Sequence, residues 1–120
     1  MELRERRCKP CEGGVEPLSE QEVHGYLAEL KKQWEVEDSN PEADASHRNG
    51  ARKIRHEFAF KNFVRAMAFV DRVADIAEAE DHHPDIHIHY NRVVIELWTH
   101  AIGGLSENDF IVAAKIEEVV

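Results

Sequence analysis

Apolar residues recur at two different periods along this chain, and the period changes from segment to segment. Val23, Tyr26, Leu27, Leu30 and Trp34 follow i, i+3, i+4, i+7 and i+11, the spacing of one helix face. Ser19-Glu-Gln-Glu22 precedes them as a capping box, with Ser19 as N-cap and Glu22 reaching back. A first strand is expected at Trp34-Glu-Val-Glu37. Lys53 to Phe60 alternates instead, with Ile54, Phe58 and Phe60 on one face and Arg55 and Glu57 on the other, a half-buried strand. Asn62 then stands as N-cap of the longest helix, Phe63 to about Glu80. Its expected core stripe is Phe63, Met67, Val70, Val73, Ala74 and Ala77, and Pro84 bars its continuation.

Ile86–Tyr90 and Val93–Thr99 predict a hairpin turning across Asn91-Arg92, because asparagine tolerates the positive φ of tight turns. That turn pairs Tyr90 with Val93, Ile88 with Ile95 and Ile86 with Leu97, all on the core face. His87, His89, Val94, Glu96, Trp98 and His100 fall on the other. Gly103-Gly104 breaks the chain, and Ser106-Glu-Asn-Asp109 caps a last helix carrying Phe110, Val112, Ala113, Ile116 and Val119. Its apolar arc is wider than one core face needs, which predicts a contact between subunits. The order α-β-β-α-β-β-α predicts an α+β fold, a four-stranded antiparallel sheet with three helices on one face. Residues 1–17 are charged, then broken by Pro10, Gly13, Gly14 and Pro17, and are read as a flexible extension. Residues 18–120 are read as a single domain.

Composition narrows the class. Apolar residues make up 42% of the chain, enough for a packed core. The net charge of -9 argues against nucleic acid as a partner, which needs a basic footprint. No apolar run approaches the ~18–20 residues of a membrane span. The first residues also lack the apolar stretch of a signal peptide. A cytoplasmic location without membrane or nucleic-acid partners is therefore expected.

The chemistry concentrates late in the chain. Five of the eight histidines, His82, His83, His87, His89 and His100, lie within nineteen residues, with Glu78, Asp81 and Asp85 beside them. Imidazole is the side chain whose unperturbed charge change falls between pH 5 and 8. Three readings stand at this point: general acid-base catalysis, a metal site, or a solvated cluster. At the end of a helix the dipole favours a charged imidazole by roughly 0.3–1 kcal/mol. Adjacent His82 and His83 are poorly placed to bind one ion, and no HExxH framework is present. His24, His47 and His56 taken singly read as structural or solvated. Cys8-Lys-Pro-Cys11 is one CxxC pair without a second to complete a zinc site, so it reads as two thiols in a tail.

Taken together, Glu78-xxx-His82-His83-Pro84-x5-Tyr90-x9-His100-x8-Asp109 closely resembles the signature of the pterin-4a-carbinolamine dehydratases. The flanking Phe58-x-Phe60-Lys61-x-Phe63 and Gly104-Leu-Ser-x-x-Asp109 resemble that family too, and the similarity spans about residues 19 to 119. The Cys8-x-x-Cys11-x-Gly-Gly14 start is similar to a bacterial and plastid-type subset. The resemblance implies loss of water from 4a-hydroxytetrahydropterin, the spent cofactor of aromatic amino acid hydroxylases, giving quinonoid dihydropterin. It implies His82, His83 and His100 as the active-site histidines, with Glu78, Pro84, Tyr90 and Asp109 in support. It calls for no metal and no organic cofactor, and it implies a homodimer or homotetramer. Ile86 departs from the aromatic residue that animal members carry, and the Ser39–Arg52 connection is longer than is common. The family also includes binding proteins, among them a dimerisation cofactor of a transcription factor and RuBisCO assembly factors. A non-enzymatic role of that kind is the alternative implied.

Overall fold

The computed structural model describes residues 2–9, 16–38 and 52–120. His47, Cys11 and the polar segment at 39–51 lie outside the described residues. The elements are α1 (Glu20–Glu29), β1 (Glu35–Asp38), β2 (Arg52–Ala59), α2 (Phe63–Glu80), β3 (Asp85–His89), β4 (Arg92–Leu97) and α3 (Glu107–Glu117). All strand pairs are antiparallel and the sheet order is β1-β2-β4-β3, so the second hairpin sits beside β2 with β4 central. Three helices and a four-stranded antiparallel sheet in the order α-β-β-α-β-β-α is the predicted fold.

The caps fall where the residues place them. The Ser19 hydroxyl accepts from the Glu22 N–H at 3.2 Å while the Glu22 carboxylate accepts from the Ser19 N–H at 3.0 Å. The Asn62 side chain accepts from the Arg65 N–H at 2.9 Å. The core lies between sheet and helices and includes Ile54, Phe58, Val93, Ile95 and Leu97 from strands, Phe69 and Val73 from α2, and Phe110 and Ile116 from α3. Each such side chain, fully withdrawn from water, contributes about 1.5–3 kcal/mol.

Four local expectations need correction. The first helix ends at Glu29, with Leu30 already extended. Trp34 is nonetheless buried, its indole N–H donating to Glu117 at 3.0 Å, so its apolar spacing marked burial rather than helix. In α2 the buried positions are Ala66, Phe69, Val73 and Ala77, whereas Phe63 is exposed and Met67 and Val70 are half-buried. The hairpin turns at Tyr90-Asn91, pairing Ile88 with Val93 and Ile86 with Ile95. A shift of two residues keeps the paired strand residues on their expected faces. Tertiary contacts explain the choice: Phe60 N–H donates to the Asn91 carbonyl at 2.8 Å, and the Asn91 amide donates to the Phe60 carbonyl at 3.0 Å. Tyr90 takes the positive φ of 53° and stacks on Phe63 instead of entering the core.

The wide arc of α3 is covered within the chain. Asn108 to Ala114 and Ile116 are all buried. Tyr26 of α1 stacks on Phe110 at 5.2 Å, α2 packs on another side, and Leu3 joins the same core. The subunit contact predicted for Phe110 and Ile116 is thereby corrected, since neither reaches the surface. Residues 2–9, part of the segment read as flexible, run across α3, with Leu3 only 3% exposed.

Candidate active site

α2 ends in a left-handed turn that aims the histidines. Asp81 adopts φ 51° and ψ 43°, and the Ala77 carbonyl accepts the N–H groups of both Asp81 and His82. Aspartate is among the few side chains that tolerate this region. The turn throws His82-His83-Pro84 sideways before β3 begins. On the other flank, β4 stops at Leu97, and Thr99 bridges back to Gly104, its N–H donating to the Gly104 carbonyl at 2.7 Å. That closed loop, with Gly103 at φ 66°, holds His100 in a short 3-10 turn. The Trp98 ring lies 3.9 Å from the His100 ring.

His82, His83, Pro84 and His100 thus line one cleft of about 620 Å³. Small-molecule sites commonly measure about 300–1,000 Å³. His82 is the most enclosed of the three. Its Nε2 lies 2.6 Å from Asp109 Oδ1, and its side chain is 10% exposed against 0% for the aspartate. The second Asp109 oxygen accepts from the Thr99 hydroxyl and the Ser106 N–H, each at 2.9 Å. Oδ2 thus already has two donors, and Oδ1 faces His82 alone. The network therefore assigns the proton between them to His82 Nε2 and leaves Nδ1 as the ring's free acceptor.

His83 pairs with Glu78 at 2.6 Å, but both side chains are mostly exposed, and such pairs contribute about 0–1 kcal/mol. Tyr90 stands at the hairpin tip, 68% exposed, and does not line the cleft. His87 and His89 sit on the sheet face away from the helices. His87 donates to Glu96 at 2.7 Å, and Glu96 also pairs with Lys53 at 2.7 Å. Burial alone would raise the Glu96 carboxyl, but its Lys53 and His87 partners outweigh that and hold it low. His56 is structural, donating to the Gln33 carbonyl and packing between Trp34 and Phe58. Among the described residues, no three His, Cys, Asp or Glu side chains are placed to hold one metal ion. No helix among them is long and apolar enough to cross a membrane.

Sequence reasoning missed several groups at the cleft. Trp98 and Asn108 line it, and Thr99 braces Asp109, although Thr99 was visible as the neighbour of His100. Cys8, Lys9 and Glu80 line it as well, and no spacing signal links the chain start to the end of α2. Burial, and then the nearby Glu80 carboxylate, push the Cys8 thiol up to about 12, so it stays protonated.

This helix-covered four-stranded antiparallel sheet is shared with a solved structure. The crystal structure of a transcriptional coactivator/pterin dehydratase from Brucella melitensis is similar with a TM-score of 0.69 and 32% identity, over 86% of this chain and 97% of that one. The chain belongs to the pterin 4 alpha carbinolamine dehydratase family, whose model matches residues 16–119. A protein of Nitrosomonas eutropha named "Putative pterin-4-alpha-carbinolamine dehydratase" is 46% identical over 97% of this chain and 91% of its own length. One of the same name from Rickettsia canadensis is 43% identical over 98% and 97%. A pterin dehydratase-like protein identified as a RuBisCO assembly factor in the alpha-carboxysome shares the fold, with a TM-score of 0.56 at 20% identity, over 74% of this chain and 90% of that one.

Proposed function

We propose that this protein dehydrates 4a-hydroxytetrahydropterin to quinonoid dihydropterin by general acid-base catalysis. The observation that carries the reading is the 2.6 Å contact of His82 with the fully buried Asp109, in a cleft shared with His83 and His100. In the reaction the C4a–O bond breaks, the departing oxygen takes a proton, and N5 gives one up as the N5=C4a double bond forms. One group must donate and another must accept. His82 Nδ1 is the candidate acceptor, because Asp109 fixes the tautomer and stabilises the imidazolium that results. His100, on the facing loop, is the candidate donor to the leaving hydroxyl. His83, tethered by Glu78 at the cleft mouth, holds the pterin.

The non-enzymatic alternative has less in its favour: it accounts for Asp109 Oδ2, which caps α3, but gives the contact of Oδ1 with His82 no task. The deciding experiment follows loss of synthetic 4a-hydroxytetrahydropterin in a stopped-flow spectrometer with purified protein. Rates well above the spontaneous one, saturable in substrate, are expected. A rate indistinguishable from buffer sinks the reading.

A further inference from the structure

Two walls of the cleft come from the end of α2 and from the loop after β4, and the third comes from the chain start. Cys8 and Lys9 line it alongside His82, His83 and His100. These two residues lie outside the region that the family model matches, which begins at residue 16. Their attachment is specific. The Asn108 amide grips the Lys9 backbone from both sides, accepting from its N–H at 3.1 Å and donating to its carbonyl at 2.6 Å. The Cys8 N–H donates to Glu80 at 2.8 Å, and Arg7 pairs with the same carboxylate at 3.0 Å. Arg6 pairs with Glu107 at 2.9 Å, and Leu3 is locked into the core. The gripping groups are themselves withdrawn from water: Asn108 is 7% exposed and the Glu80 side chain 5%.

We propose that Cys8 and Lys9, held in place by the anchors of Arg6 and Arg7, form a binding wall of the pterin site, setting affinity for the reduced pterin while the histidines carry the chemistry. The proposal rests on the dehydratase reading above. A flat bicyclic ligand in a two-walled cleft leaves much of its surface in water, whereas small-molecule sites bury about 70–90% of their ligands. A third wall adds contact that substrate and transition state share equally, and uniform binding of that kind appears in KM rather than kcat. Cys8 suits a passive wall, because its thiol stays neutral and donates to the Asn108 carbonyl, leaving no nucleophile to compete with the substrate's chemistry.

The test measures kcat, KM and thermal melting for the full chain, for a chain lacking residues 2–9, and for Cys8→Trp, which narrows the cleft with the anchors kept. In both variants KM for 4a-hydroxytetrahydropterin should rise roughly tenfold, the equivalent of about 1.4 kcal/mol of binding, while kcat stays within about twofold. The pH profile of kcat should not move. If the shortened chain fails to fold without Leu3, Cys8→Trp alone carries the result. An active wild type with unchanged KM in a folded variant overturns the wall and leaves the dehydratase reading intact. A fall in kcat at constant KM overturns it equally. A wild type without activity overturns both.

Discussion

The two oxygens of Asp109 have different tasks. Oδ2 takes the Thr99 hydroxyl and the Ser106 N–H that begin α3, and Oδ1 takes His82. Asp109→Asn keeps the shape but must turn its amide nitrogen toward His82, because Thr99 and Ser106 both donate to the other atom. His82 Nε2 then has to accept, its proton moves to Nδ1, and Nδ1, the candidate acceptor, loses its lone pair. Steady-state kinetics should show kcat lower by at least ~10²-fold with little change in KM, because general-base groups contribute ~10²–10⁴. His82→Ala and His100→Ala should each lose a comparable factor, or only the double variant should if one replaces the other. His87→Ala and His89→Ala should stay near wild type, since neither residue lines the cleft. Equal rates for all five substitutions would mean that the histidines are not the catalyst.

Among the elements, those with a chemical punctuation mark were legible, and those fixed by distant contacts were not. Ser19, Asn62 and the Gly103-Gly104 break carry their own signals, so α1, α2 and α3 start where the residues say. The stripe of α2 was legible at Val73 and Ala77 but misread at its start, because Ala66 and Phe69 face the core while Phe63, larger than Ala66 and more apolar, stacks on Tyr90 at the surface. No local rule ranks a buried alanine above an exposed phenylalanine. The all-round burial of α3 was misread in the same way, because the chain start and α1 that cover it leave no trace in its own periodicity. Phe110→Ala should therefore destabilise the folded chain by about 3–5 kcal/mol in denaturant melts, as a core truncation does. Dissociation of an assembly with unchanged protomer stability would contradict that. The turn after α2 gives a second check. Asp81→Gly should be tolerated, whereas Asp81→Val should cost roughly 1–2 kcal/mol, the penalty of a left-handed residue with a crowded Cβ. Because that turn aims His82, the valine variant should also lose activity beyond its loss of stability.

At the scale of the whole molecule, the acids behind the charge of -9 are not merely solvating. Two of the acids tie distant parts together: Glu80 joins the chain start to α2, and Glu96 links Lys53 of β2 and His87 of β3 across β4. Burial would raise the Glu80 carboxyl, but the Cys8 N–H, Lys115 and Arg7 outweigh it and hold it below the ordinary 4.5. Glu96 is lowered likewise. A carboxylate whose folded value is depressed contributes stability that is fully present above its unfolded value and is lost as pH falls through the folded one. General repulsion acts the opposite way, since the net charge shrinks toward the pI near 5.3 as pH drops from neutrality. Melting temperature should therefore hold or rise slightly from pH 7 to about 5.3, then fall below 4.5 as Glu80 and Glu96 take up protons. Glu80→Gln and Glu96→Gln should each lower the melting temperature at pH 7 and flatten the fall below 4.5. The exposed Glu118, also lowered but screened by water, should change the acid limb far less when made glutamine. An acid limb as steep in both buried-site variants as in wild type would show that these two carboxylates do not bind their protons in competition with folding.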